Sequence, residues 1–184
     1  MAESTGTVEV GAASRASRWL ARVRADAPFF LLAIAVIVLD QVTKQLVRSN
    51  LALGETWPDE DWFVHINHVT NSGAAFGILQ GQTLFLVVTT FVGLAAILLY
   101  YWYPPMQHAF LRIILGLQLG GALGNLIDRI RLGEVTDFID FRYWPAFNVA
   151  DSSISIGVVG VLVFFVLYEG ARRQQEAPRR GPDR

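Results

Sequence analysis

Cysteine is absent from this 184-residue chain. That excludes a disulfide framework, a thiol nucleophile and any cysteine-ligated metal site. Charge is sparse as well: 17% of residues are Asp, Glu, Lys or Arg against 53% hydrophobic ones, and the mean hydropathy is +0.39. A chain this apolar is not an ordinary soluble domain, and its length suits one domain in a membrane. Histidine is limited to His65, His68 and His108. No zincin motif is present, and these three cannot meet in one metal site if the two sides of a membrane are respected. No metal, cofactor or nucleic-acid partner is expected.

Four apolar segments stand out, each near the ~20 residues that cross ~30 Å of hydrocarbon as a helix. They cover about 28–47, 83–103, 106–127 and 147–168. The second has no charged residue and ends in Tyr100, Tyr101, Trp102 and Tyr103 before Pro104-Pro105, the aromatic signature of an interface followed by a turn. In the third, Gly116, Gly120 and Gly124 recur every four residues, with Gly121 beside them. That stripe lets another helix approach closely. No strand precedes these glycines, which removes a nucleotide-binding reading.

Residues 1–27, with Arg15, Arg18, Arg22 and Arg24, form a polar tail expected to be disordered or interfacial; residues 169–184 form a second Arg-rich tail. The first apolar run carries Asp40 and Lys44 and has no small-residue cleavage site after it, so it is not read as a cleavable signal peptide. Four spans put both tails on one side, and the positive-inside rule makes that side cytosolic. Arg129, Arg131 and Arg142 then fall outside, interspersed with Glu134, Asp137 and Asp140. The outer connection at about 48–82 holds Glu55, Asp59, Glu60 and Asp61, then W-F-V-H-I-N-H-V with the period of two of a half-exposed strand, then a turn at Asn71-Ser72-Gly73. The fold expected is membrane α-helical: four transmembrane helices with a small extracytoplasmic β-rich subdomain between helices 1 and 2. The membrane domain expected is 28–168, and the spacing of His65 and His68 puts them on opposite faces of a strand.

Polar groups inside so apolar a chain are costly, on the order of 2.5 to 3.5 kcal/mol for an acid at a helix centre, and therefore mark function. Asp40 and Lys44 are four apart on one helical face that should point into the protein. A local ion pair near the membrane surface is the commoner use of that spacing, and Lys44 can also snorkel to the interface. Asn125, Asp128 and Arg129 close the third span. The Arg129 guanidinium suits a surface anchor, a carboxylate or a lipid phosphate equally.

The richest stretch is 135–151, V-T-D-F-I-D-F-R-Y-W-P-A-F-N-V-A-D, with Asp137, Asp140, Asp151, Asn148 and Arg142. Asn148 and Asp151 are three apart at the start of the fourth span, and Asp137 lies far enough upstream to swing opposite Asp151. Two facing carboxylates share a proton, one acting as base on water while the other donates to a carbonyl. Membrane carboxylates also carry protons or ions, and spacing alone weighs that equally with proteolysis. A carrier needs acids reachable from both sides, whereas the cytosolic half offers only His108 and Arg112. A Ser-His-Asp arrangement from His65 or His68 with Ser72, Ser152 or Ser153 is a weaker third reading.

The blocks D-Q-V-T-K at 40–44, N-S-G-A-A-F-G at 71–77, G-G-A-L-G-N-L-I-D-R at 120–129, V-T-D-F-I-D-F at 135–141 and F-N-V-A-D-S at 147–152 resemble, in order, the motifs of lipoprotein signal peptidase, the bacterial signal peptidase II. The resemblance implies an inner-membrane aspartic endopeptidase that removes signal peptides from prolipoproteins, cutting before a diacylglyceryl-modified cysteine. It makes Asp137 and Asp151 the catalytic dyad and Asn71, Asn125, Arg129 and Asn148 the polar lining that holds substrate. Asp40, Lys44 and Asp128 become structural support. The partners implied are lipid-modified prolipoproteins and membrane lipids, with a monomeric enzyme. The loop at 50–82, with Trp57, Trp62 and Phe63, is expected to close over the substrate.

Overall fold

The computed structural model describes residues 5–58, 62–73, 78–103, 108–141 and 143–176. The acidic run at 59–61, the small residues at 74–77, the proline pair at 104–105 and Arg142 lie outside the described residues, as do both chain ends. The order is α1 (Thr5–Asn50), β1 (Thr56–Trp57), β2 (Val64–Asn71), α2 (Thr83–Trp102), α3 (Ala109–Leu132), β3 (Val135–Phe141), β4 (Trp144–Phe147) and α4 (Val149–Glu176). Among the described residues four helices are long and apolar enough to cross a membrane, over Asp26–Asn50, Thr83–Tyr101, Ala109–Leu132 and Val149–Tyr168.

The third helix is the most enclosed, and α1 and α4 pack on its two sides. The glycine stripe explains the closeness. A Cβ at Gly120 would stand 2.7 Å from the Ala33 carbonyl oxygen on α1, and one at Gly121 would stand 2.5 Å from the Ala150 carbonyl oxygen on α4. Without side chains there, backbones meet, as membrane helices do when small residues face each other. Phe29, Ala33, Leu94, Leu115, Leu119 and Leu126 form the apolar core between α1, α2 and α3, with Phe29 stacked on Tyr101 at 4.2 Å. Leu84, Val88, Phe91 and Val92 of α2 point outward, the pattern of a helix whose solvent is lipid. At one end of the bundle Arg112 lies 3.6 Å from Asp26.

Element ends depart from the sequence expectation. The helix that should begin near residue 28 begins at Thr5, so the polar tail is helical rather than disordered. It is rich in alanine and arginine, strong helix formers, and lengthening an existing helix avoids the cost of a new nucleus. The third helix runs to Leu132, so Asn125, Asp128 and Arg129 sit within it; it ends where Gly133 adopts φ 83° and its N–H bonds the Arg129 carbonyl. The fourth continues to Glu176.

The sheet is antiparallel in the order β1-β2-β3-β4. Only half of it comes from the connection at 48–82; β3 and β4 come from 135–147, a stretch read simply as polar. Its β-branched and aromatic residues favour a strand, and Val135, Thr136, Asp137 and Phe138 are all buried, so no period of two is left to see. The register pairs Val69 with Asp137, Asn71 with Val135 and His65 with Asp140. A shift between Ile66 and Val69 breaks the strict alternation on which the opposite-face placement of His65 and His68 rested.

Substituting Gly120 with Leu should separate α1 from α3 and lower stability by about 1–3 kcal/mol, the usual cost of overpacking. Gly93→Leu on α2, where nothing lies within 4 Å of an added Cβ, should leave the melting temperature near wild type. Thermal unfolding of both variants in detergent checks the pair.

Candidate active site

A fully buried ammonium lies at the centre. Lys44 Nζ is 2.9 Å from Asp40 Oδ2 and 3.1 Å from Asp128 Oδ2, and it donates to Asn125 Oδ1 at 2.8 Å. Lys44 and Asp40 are 0% exposed, so the lysine does not snorkel; two carboxylates on neighbouring helices hold it inside. Asp40 is more than a local ion-pair partner. Its Oδ1 accepts the Ala150 N–H at 3.0 Å in the first turn of α4, where helix N–H groups lack partners. Asp128 Oδ2 accepts the Thr136 N–H at 3.2 Å, which ties α3 to the residue before Asp137.

Three asparagines carry the network to two further carboxylates. Asn125 Nδ2 donates to Asp151 Oδ1 at 2.7 Å. Asn148 Nδ2 donates to Asp137 Oδ1 at 2.6 Å, and to Asn125 Oδ1 and the Thr136 carbonyl oxygen at 3.2 and 3.3 Å. Asn71 Nδ2 donates to Asp137 Oδ2 at 3.0 Å. Asn148 and Asp151 also cap α4 reciprocally: the Asp151 N–H donates to Asn148 Oδ1 at 2.9 Å and the Asn148 N–H to Asp151 Oδ2 at 3.3 Å. This is a capping box, and its N-x-x-D spacing was readable in the sequence but was taken only as a shared face. Asp137 therefore sits on a strand, Asp151 on a helix start, with Asn148 between them.

The electrostatics suit proton transfer. Burial, and after it the Asp151 carboxylate, push the Asp137 carboxyl up to about 7, against the amide hydrogen bonds from Asn71 and Asn148 and the charge of Lys44. Neutral amides hold the dyad without fixing its charge as a direct cation would. Arg129 stays one contact away: its Nη2 donates to the Gly73 carbonyl oxygen at 3.0 Å. That locks the turn after β2, whose Gly73 N–H in turn donates to Asn71 Oδ1 at 2.9 Å.

Asp40, Lys44, Asn71, Asn125, Asp128, Arg129, Asp137, Asn148 and Asp151 all lie in or against this cluster, whereas Asp140 Oδ2 accepts from Asn67 Nδ2 at 3.4 Å further along the sheet and Arg142 lies outside the described residues. The serine-triad reading finds no support in the contacts of Ser152, Ser153 and His68. Ser152 and Ser153 donate to the carbonyl oxygens of Asn148 and Val149 in their own helix, and His68 Nδ1 lies 2.9 Å from the Leu51 carbonyl oxygen. Among the described residues no three His, Asp or Glu side chains are grouped to hold a metal ion. Three residues were missed. Gln41 Nε2 reaches Asp40, Asp128 and the Gly124 carbonyl oxygen at 3.1 to 3.2 Å, Arg48 Nη1 donates to Thr136 Oγ1 at 2.9 Å, and Thr136 is itself buried. Arg48 lies four residues beyond Lys44 on the same helical face, which was the available signal.

Two neighbouring carboxylates at the end of a four-helix membrane bundle are the arrangement that a membrane aspartic peptidase uses. The profile described as signal peptidase (SPase) II matches residues 32–167. The chain is 47% identical to the lipoprotein signal peptidase of Moorella thermoacetica over 72% of this chain and 88% of that one, and 41% identical to that of Bacillus pumilus over 80% and 97%. Two solved structures, each described as a bacterial membrane enzyme obtained by the in meso method, share the fold. The one at 2.3 Å has a TM-score of 0.72 and 31% identity, covering 85% of this chain and 93% of its own; the one at 1.9 Å has 0.68 and 35%, covering 74% and 91%. The chain belongs to the signal peptidase II family, aspartic peptidases that remove signal peptides from prolipoproteins, and it is a multi-pass bacterial membrane protein.

Folding raises the Asp137 carboxyl from its ordinary 3.8 to about 7. The folded state thus binds that proton more tightly than the unfolded chain, and stability falls as pH rises from about 4 through about 7. Asp137→Asn should melt several degrees above wild type at pH 8, with the difference closing towards pH 4. Melting curves across that range in detergent check this; a difference independent of pH would count against it.

Proposed function

We propose that this chain cleaves diacylglyceryl-modified prolipoproteins just before the lipidated cysteine, with Asp137 and Asp151 as the catalytic residues. The observation that carries the reading is the dyad itself: buried Asp137 and half-buried Asp151 joined through Asn148, with the Asp137 carboxyl pushed up to about 7. One carboxylate takes a proton from water as the other gives one to the scissile carbonyl oxygen. The acid so formed then protonates the leaving amine as the tetrahedral intermediate collapses. Asn71, Asn125, Asn148 and Arg129 line the site and orient the substrate backbone, while Asp40, Lys44 and Asp128 support the helices beneath.

The spans 28–168 make the peptidase domain, with both Arg-rich tails in the cytosol and the dyad on the outer face of the inner membrane. Support for that placement is the aromatic groove of about 460 Å³ on the sheet, lined by Phe63, Phe141, Tyr143, Trp144 and Phe147, directly before α4 enters the bilayer. Aromatic side chains gather at headgroup depth. Trp57, Trp62 and Phe63 are more than half exposed, an apolar surface for a substrate that arrives from the bilayer. A lipidated substrate never leaves the membrane, so a monomer with lateral access between its helices suffices.

A cleavage assay in lipid with a diacylglyceryl-modified prolipoprotein tests the reading. Asp137→Asn and Asp151→Asn should each lose about 10³-fold or more in kcat while staying folded. Asp140→Asn should cleave at close to the wild-type rate. Full activity in both dyad variants would make the acids structural.

A further inference from the structure

Lys44 is buried, charged and touches neither Asp137 nor Asp151 in any contact described above, yet it faces the group that holds Asp151. An ammonium has donors only. The Asn125 side chain must therefore turn its carbonyl oxygen to Lys44, at 2.8 Å, which leaves its amide N–H₂ aimed at Asp151 Oδ1, at 2.7 Å. The reversed amide would set donor against donor at Lys44 and oxygen against oxygen at Asp151. The same Asn125 oxygen accepts from Asn148 Nδ2, which also donates to Asp137 Oδ1 and to the Thr136 carbonyl oxygen. One cation thus fixes the direction of a hydrogen-bond relay that ends on both acids.

We propose that Lys44 is a positioning residue for the dyad: it orients Asn125 towards Asp151 and places a positive charge within reach of both acids. This role rests on the catalytic assignment of Asp137 and Asp151. The acids that Lys44 faces come from every packed element: Asp40 on α1, Asp128 on α3, Asp137 on β3 and Asp151 on α4, with Arg48 and Arg129 acting on those same acids. Asp40 and Asp128 hold the ammonium directly, and Arg48 stands 3.8 Å from Asp128 Oδ1. The Lys44 charge also acts on the Asp137 carboxyl in the direction of ionisation.

The test is the pH profile of kcat on the lipidated prolipoprotein in lipid. Lys44→Met alone strands two buried carboxylates, so the variant used is Lys44→Met with Asp128→Asn, which removes one charge of each sign. It should fold, keep KM within about twofold, lose 10- to 100-fold in kcat, and move both limbs of the profile up by about one pH unit, the effect of losing an oriented hydrogen bond to the charged form of a carboxylate. Asp40→Asn, which leaves Lys44 paired with Asp128 and an oxygen for the Ala150 N–H, should move the limbs down instead. A folded double variant with a lower kcat but unmoved limbs makes Lys44 merely structural and overturns the proposal. If the double variant does not fold, Asp40→Asn decides: a downward shift supports the role, unmoved limbs overturn it. Wild type is run beside them; an inert wild type overturns the proposed reaction and this role with it.

Discussion

Everything else in the structure depends on one buried ammonium having enough partners. A charge inside a membrane protein is tolerated only when paired and hydrogen-bonded, and stripping one partner from such a pair costs about 3–5 kcal/mol. Lys44 meets the condition with Asp40 from its own helix, Asp128 from α3 and the Asn125 oxygen. The two acids have second tasks, on the first turn of α4 through Ala150 and on β3 through Thr136. Four elements are thereby registered by one cluster. The glycines of α3 make this affordable in space, since a Cβ at Gly124 would stand 2.6 Å from Asp40 Oδ2.

Above that cluster the donors change character, and so does the chemistry. Cations hold the structural acids, whereas asparagine amides hold Asp137 and Asp151. An amide orients a carboxylate but leaves its proton exchangeable, as general acid–base chemistry requires. Asp137 near pH 7 is the outcome of that balance between burial and neutral donors. Arg129 fits the same logic at one remove: it steadies the Gly73 turn and leaves the dyad to the amides.

The parts legible in the sequence were those carried by a single strong local signal. Four apolar runs, the small-residue stripe of α3 and the four-residue spacing of Asp40 and Lys44 each have one physical reading, and the helices, the close α1–α3 contact and the inward polar face follow from them. Where signals compete, the sequence misled. The early start of α1 is propensity extending an apolar span into a polar tail. The strand at Val135–Phe141 was hidden because its buried positions are consecutive, with Asp137 among them, so burial and polarity do not alternate together.

By itself the sequence determined the class of solvent, the number of spans and the short list of acids, because hydropathy and charge act residue by residue. Its ordered motifs also narrowed the chemistry to one family. Only the tertiary structure decided what faces each acid. Asp40, Asp128, Asp137, Asp140 and Asp151 are the same side chain in sequence; they differ in whether a lysine, an asparagine amide or a helix N–H faces them. Those partners come from residues as much as 110 positions apart. The direction of an amide, like the height of a pKa, is set by what packing places opposite it.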